Sequence, residues 1–96
     1  MPRPHKKRYC RRYRENRVYK PQGIPMRTIG EVEIPLDQFE AMRLVDHQGY
    51  DQTEAGDIMG ISRGTIQRLL QAGRSQLIDA MLTNSAILIK LEESEK

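Results

Sequence analysis

The chain has 96 residues, of which 38% are hydrophobic and 30% are charged, and it carries one cysteine, Cys10. This length accommodates one small domain, the single cysteine excludes an intrachain disulfide, and no apolar run approaches the ~20 residues that span a bilayer. No apolar signal region follows the basic first residues. We therefore expect a cytoplasmic protein without a membrane partner.

The net charge of +3 is unevenly distributed along the chain. Residues 1–20 hold nine Lys or Arg and one acid, whereas the remaining residues hold seven basic and twelve acidic side chains. A concentrated basic segment is typical of proteins that bind polyanions. Nucleic acid is favoured over a membrane because no amphipathic stretch accompanies the segment. The alternative is a solvated basic tail without a partner.

Three tyrosines, Tyr9, Tyr13 and Tyr19, interrupt this basic arm, which shows no apolar period. They either stack on bases or anchor the arm, and anchoring is favoured because the chain has one Phe and no Trp. A Pro/Gly turn follows at residues 20–25. The chain thus divides into a basic arm with its turn (1–30), a domain (31–91) and a charged tail (92–96).

The first two elements of the domain are a strand and a helix. Residues 31–34 alternate polar and apolar side chains, which predicts a short strand that ends at Pro35. Apolar residues then recur at helical spacing, with Asp37 in the first turn and Gly49 as the stop.

Two more helices and a second strand follow. Asp51 and Glu54 have the spacing of a capping box, which predicts a helix over about 52–59. Ser62 is placed to cap a third helix from 63 to about 82. Residues 86–91 form a β-type run, and the segments 32–34 and 87–89 are predicted to pair either with each other or across a two-fold axis. The predicted fold is mainly α, with three helices and two short strands.

Residues 52–71 have the spacing of a helix-turn-helix. This motif needs a small residue in its first helix, a sharp turn four positions later and a branched apolar residue six further on; Gly56, Gly60 and Ile66 satisfy it. Glycine costs about 1 kcal/mol of helix propensity relative to alanine, so we expect close packing at Gly56. The rest of the small core is assigned to Ile58, Ile61, Leu69 and Leu70. The alternative is an ordinary helical hairpin with a solvated basic face.

The third helix has two predicted faces. No acid occurs between Asp57 and Asp79, so the polar face suits a major groove. On it, Arg68 suits guanine O6/N7, and Gln67 or Gln71 suits adenine N6/N7. The apolar sector comprises Ile66, Leu69, Leu70, Gly73, Leu77, Ala80 and Met81. Near its edge lies Arg74, for which packing or a backbone contact is expected rather than base reading.

Several motifs cover most of the chain: M-P-R-P-x-K, K-P-x-G-I-P (20–25), D-x-x-E-A-M-R-L (37–44), M-G-I-S-R-G-T (59–65) and A-I-L-I. Through them the chain resembles the uncharacterised protein family 0251 (domain of unknown function 134), small prokaryotic proteins regarded as DNA-binding. Their helix-turn-helix is similar to region 4 of sigma factors. The resemblance implies that residues 61–66 begin the recognition helix and that residues 52–54 sit where backbone contacts are made.

The chain departs from the family pattern at two places. Members often have two cysteines in the basic arm, where this chain has Lys7 and Cys10, which weakens any shared metal-binding or redox role. Sigma factors tend to carry Arg where this chain has Ala72.

The sequence thus predicts a transcriptional regulator that binds double-stranded DNA sequence-specifically as a homodimer, with RNA polymerase as a further candidate partner. The alternatives are an RNA-binding protein that uses the arm and a protein-interaction module of the transcription machinery. The predicted DNA-binding residues are Ser62, Arg63, Gly64, Thr65, Gln67, Arg68, Gln71, Gln52, Thr53, Arg3, Lys6, Lys7, Arg8, Arg11 and Arg12.

Catalytic and metal sites are not predicted. The sequence has no P-loop, dinucleotide-binding turn or Ser/His/Asp context. Tetrahedral zinc needs four ligands, and His5, Cys10 and a distant His47 do not supply them, although a site shared by two subunits stays open. We expect no cofactor and no enzyme activity. The acids are assigned to solvated faces and helix caps: Asp37, Glu40, Asp46, Asp51, Glu54 and Asp57.

Overall fold

The computed structural model of the protein describes residues 8–11 and 13–91. Three helices and a three-stranded sheet confirm the predicted mainly α fold with short strands. The predicted contributions of Arg3, His5, Lys6, Lys7, Arg12 and the tail 92–96 lie outside the described residues. The elements are β1 (Arg17–Tyr19), a 3-10 turn (Met26–Thr28), β2 (Glu31–Ile34), α1 (Leu36–Met42) with a π-helical continuation (Arg43–His47), α2 (Gln52–Met59), α3 (Arg63–Leu82) and β3 (Ala86–Ile89).

The sheet has the order β1-β3-β2. The two predicted strands pair within the chain, in parallel, with Val32 opposite Ile87. A third strand that the sequence did not predict, β1, pairs antiparallel with the other edge of β3, with Val18 opposite Leu88. All three β1 residues are exposed. This strand lacks an apolar alternation because its backbone, rather than buried side chains, joins it to an otherwise open edge.

The helix boundaries follow the predicted caps. The Glu54 N–H donates to Asp51 Oδ1 at 2.7 Å, and the Asp51 N–H donates to Glu54 Oε1 at 2.9 Å, which completes the capping box of α2. Ser62 Oγ accepts a hydrogen bond from the Thr65 N–H at 3.2 Å at the start of α3. Gly49 adopts the left-handed conformation, with φ of 84°, just beyond the segment that continues α1.

The turn between α2 and α3 depends on two glycines. Gly60 ends α2 with φ of 72°, a left-handed conformation that glycine adopts at no steric cost. Gly56 lies where the chain crosses closely, because a Cβ there would stand 2.7 Å from the carbonyl oxygen of Ile61. The prediction that close packing explains Gly56 is therefore confirmed.

The core lies between the helices and the sheet. Its largest fully buried apolar side chains are Ile34, Met59, Ile66, Leu70 and Leu91. None of the helices in the described part of the chain combines the length and the apolar character needed to cross a membrane.

Two predicted core residues are instead exposed. Ile58 is 43% exposed because the short α2 turns Ala55, Gly56 and Met59 inward, which leaves Ile58 on the outer side. Met81 is 61% exposed because it lies one residue beyond Ala80, which faces the core.

Glu40 is also placed differently from the prediction, since it is 1% exposed rather than on a solvated face or cap. Both of its oxygens accept hydrogen bonds. Oε1 accepts from the Arg11 backbone N–H at 2.8 Å and from Arg43 Nη2 at 3.0 Å. Oε2 accepts from the Tyr13 hydroxyl at 2.6 Å and from Arg43 Nε at 2.8 Å. These four bonds satisfy the buried carboxylate and explain how it is tolerated in the core.

The same contacts anchor the arm. Burial alone would raise the pKa of Glu40, but the hydrogen bonds from Arg43, Tyr13 and the Arg11 amide outweigh it and lower the pKa below its usual value. Burial and the bond to Glu40 raise the pKa of Tyr13 to about 12. The Tyr13 ring also packs edge-on against Phe39, with centroids 5.9 Å apart. Anchoring is thus confirmed for Tyr13.

Candidate nucleic-acid interface

The outward face of α3 carries most of the polar residues that the sequence singled out. Arg63, Gln67, Arg68 and Gln71 are exposed, and Gly64 and Thr65 are partly exposed. The residues on the opposite face of α3 are buried. The polar face therefore points to solvent.

The first turn of α3 is organised by a chain of hydroxyl groups. Ser62 Oγ lies 3.0 Å from Thr65 Oγ1, and Arg68 Nη2 donates to Thr65 Oγ1 at 3.2 Å. A Cβ at Gly64 would lie 3.8 Å from Arg68 Nη1, so the guanidinium lies across the space above Gly64. The first amides of a helix have no intrahelical acceptor, and they adjoin this guanidinium. The guanidinium and the first amides of α3 therefore offer N–H donors to an anion or to an acceptor atom on a base edge.

The charges on this face are uncompensated at two positions. Arg74 Nη2 donates to Asp46 Oδ1 at 2.6 Å and Arg74 Nε to Asp46 Oδ2 at 3.2 Å. This hydrogen bonding raises the pKa of Arg74. The charge of Arg74 is therefore paired with Asp46, in the π-helical continuation of α1. Among the described ion pairs of α3, Arg63 and Arg68 have no carboxylate partner.

The two predicted residues of α2 lie at its start. Thr53 is exposed, whereas Gln52 is partly buried and its Oε1 is a buried acceptor without a partner in the described structure. They lie between the two carboxylates of the capping box, Asp51 and Glu54, both of which are exposed.

The described arm residues lie in two different places. The Tyr9 N–H donates to the Met59 carbonyl at 3.0 Å, and the Tyr9 ring lies on Gly60, where a Cβ would stand 2.9 Å from its carbons. Arg8 pairs with Asp37 at 3.5 Å. Tyr9 therefore lies beside the turn that leads into α3, and Arg8 lies beside α1.

Arg11 lies on the other side of α3. Its guanidinium stands 5.5 Å from the centroid of the Tyr13 ring, and it lines a cavity together with Leu77 of α3. Leu77 is nine residues after Arg68 in α3. At 100° per residue, the two side chains therefore lie on opposite sides of the helix axis. Arg11 is therefore not brought together with the polar face of α3.

Sequence reasoning missed Tyr9 as part of this surface, and it missed the basic residues around the cavity. These are Arg17, Arg43 and His47, which lie near Arg11. These residues lie near Arg11 because of the sheet register and the contacts of Glu40. A local sequence pattern does not indicate such tertiary proximity.

Comparisons with known proteins identify relatives over nearly the whole chain. The family profile described as "Protein of unknown function DUF134" matches residues 1–96. A UPF0251 protein of Rhodospirillum rubrum is 44% identical over 89 residues, which cover 93% of this chain and 62% of that relative. A UPF0251 protein of Aeromonas salmonicida is 35% identical over 95 residues, 99% of this chain and 93% of that relative. No solved structure matches the chain. The chain belongs to the UPF0251 family of uncharacterised proteins, which the DUF134 profile describes.

Proposed function

We propose that this protein is a transcriptional regulator that binds double-stranded DNA sequence-specifically, with α2 and α3 as a sigma-region-4-like helix-turn-helix. The observation that carries the proposal is the exposed, acid-free first half of α3, on which Arg63 and Arg68 have no carboxylate partner among the described residues. A helix of this kind fits the major groove without repelling phosphates. The close crossing at Gly56 supports the same motif.

The proposed division of labour follows the geometry of α3. Arg68, Gln67, Gln71 and Thr65 read base edges, since their side chains lie on one exposed face. Ser62, Arg63 and Gly64 hold a phosphate at the start of α3. Gln52 and Thr53 contact the sugar-phosphate backbone of the DNA. Phosphate contacts are assigned to the basic residues of the arm, and the Tyr9 N–H fixes the adjoining chain at the Met59 carbonyl.

The proposed assembly is a cytoplasmic homodimer. Ile78, Met81 and Leu82 form an apolar row on the last turns of α3, and Ile78 and Leu82 are 54% and 78% exposed. Apolar rows of this kind mark interaction surfaces. RNA polymerase is a further proposed partner, and we propose a binding role rather than an enzymatic one.

Selection of bound duplexes from a random pool, run at two salt concentrations, tests this function. We expect enrichment of a shared motif at both salt concentrations, because base contacts persist where phosphate contacts weaken. A pool of structured and single-stranded RNA serves as the control. Preference for RNA, or DNA recovery without any shared motif, would contradict the proposal.

A further inference from the structure

A second candidate site lies on the side of the molecule away from the exposed face of α3. It is an open cavity of about 500 Å³ between α1, its continuation, α3 and the sheet. Small-molecule pockets fall in the range of about 300–1,000 Å³. The apolar part of the lining comprises Ile34, Phe39, Met42, Leu77 and Ile89.

Basic side chains surround this apolar lining. Arg11, Arg17, Arg43 and His47 all line the cavity. Among the described residues, the carboxylate that contacts this group is that of Glu40, and it is 1% exposed with both oxygens already occupied by four hydrogen bonds. Glu40 neutralises Arg43 but has no free acceptor for Arg11 or Arg17. The described lining therefore presents a net positive charge beside an apolar surface.

Arg11 and Arg17 converge on one aromatic ring. Their guanidinium carbons stand 5.5 Å and 5.8 Å from the centroid of the Tyr13 ring. In the described part of the chain neither guanidinium has a carboxylate partner. Two like charges on one ring repel each other, and a guanidinium binds a carboxylate through two parallel hydrogen bonds. Both side chains line the cavity, so an anion bound in it would be attracted to each of them.

We propose that this cavity binds a small amphipathic organic anion, with a carboxylate held by Arg11 and Arg17 and an apolar or aromatic body against Phe39 and Leu77. The proposal is independent of the proposed function, because the cavity faces away from Arg68. A duplex lying on the exposed face of α3 does not reach the concave site behind it. Leu77 belongs to the same helix as the reading residues, so the ligand would contact α3 directly.

Calorimetric titration of the full chain with 2-naphthoate and its uncharged analogue 2-naphthamide tests the proposal. We expect the carboxylate to bind about tenfold or more tightly than the amide, because only the carboxylate pairs with both guanidiniums. Arg17→Gln should lower naphthoate affinity about tenfold, whereas the control Arg27→Gln, in the exposed 3-10 turn, should leave it unchanged. Arg11→Gln provides a second variant if Arg17→Gln fails to fold.

The location of the probe is read independently from the methyl NMR signals of Ile34, Leu77 and Ile89, which naphthoate should shift. Equal affinity for acid and amide, or unchanged affinity in both arginine variants, would overturn the proposal. Displacement of naphthoate by a short DNA duplex would also overturn it, because the cations would then belong to the nucleic-acid surface. A protein that binds naphthoate but no DNA would refute the proposed function and leave this site standing.

Discussion

At the scale of single residues, the buried carboxylate of Glu40 joins the arm to the helices. Its partners are Arg43, one turn along the chain, and Tyr13 and the Arg11 amide, which are 27 and 29 residues away. The sequence pattern assigned Glu40 to a solvated face or a helix cap, and the structure buries it instead. Its burial was not predictable because two of the groups that satisfy it, the Arg11 amide and the Tyr13 hydroxyl, come from a segment without periodicity.

Glu40 makes the free energy of unfolding depend on pH in the acidic range. Its folded-state pKa lies below the usual value of 4.5, so the stabilisation is fully present above that value and is lost as pH falls through the lower folded pKa. Glu40→Gln should cost about 3 kcal/mol at neutral pH, because Arg43 loses its counterion. Urea unfolding from pH 7 to pH 3 measures both effects. A variant whose stability falls with acid as steeply as that of the native protein would contradict this account.

At the scale of elements, the three helices were predictable because their boundaries depend on local groups. Asp51, Glu54 and Ser62 form the expected caps, and Gly60 adopts the expected turn. The strand β1 was not predictable because its pairing depends on the free edge of β3, about 70 residues away along the chain. The polar face of α3 is exposed as its pattern indicated, whereas the cavity behind it depends on tertiary contacts.

Gly56 tests the close crossing of α2 and α3. Gly56→Ala should destabilise the protein by about 2 kcal/mol despite the gain of about 1 kcal/mol in helix propensity, because its Cβ would stand 2.7 Å from a backbone oxygen. Gly64→Ala is the matched control, since a Cβ there meets nothing closer than 3.8 Å. We expect that variant to be neutral or slightly stabilised. Thermal unfolding compares them, and equal midpoints would contradict the packing argument.

At the scale of the whole molecule, the proposed DNA-reading residues and the apolar row occupy opposite ends of α3. Residues 68 and 80 are about 18 Å apart at a rise of 1.5 Å per residue. A two-fold axis near residue 80 would place two copies of Arg68 at most about 36 Å apart. Half-sites one helical turn apart are separated by about 34–36 Å, so a dimer through this end of α3 reaches their spacing when its two α3 helices lie nearly end to end.

The dimer interface is tested by charge insertion. Leu82→Asp should raise the dimer dissociation constant by at least about tenfold, because it places a charge in an apolar contact. Ile58→Asp introduces the same charge at an exposed apolar position on α2 and serves as the control. Light scattering across a concentration series measures the effect. A native protein that is monomeric at micromolar concentration would contradict the proposed dimer.

The basic arm is tested by removing residues 1–7, which carry Arg3, Lys6 and Lys7. This truncation leaves the Arg11 amide and Tyr13 bonded to Glu40, whereas removal of residues 1–12 would eliminate the Arg11 bond. We expect weaker binding to all DNA sequences, with a salt slope lower by about 0.9 for each phosphate that the shortened arm no longer neutralises. Weaker binding to the preferred sequence alone would show that the arm reads bases.

The affinity of Arg68→Ala for the selected duplex and for a scrambled duplex tests the central claim most directly, with Arg27→Ala as the control. A decrease of about 1–3 kcal/mol in binding free energy on the selected duplex and little change on the scrambled one is predicted, because a bidentate base contact carries the discrimination. An equal decrease on both duplexes, or no decrease on either, would contradict a base-reading role for α3.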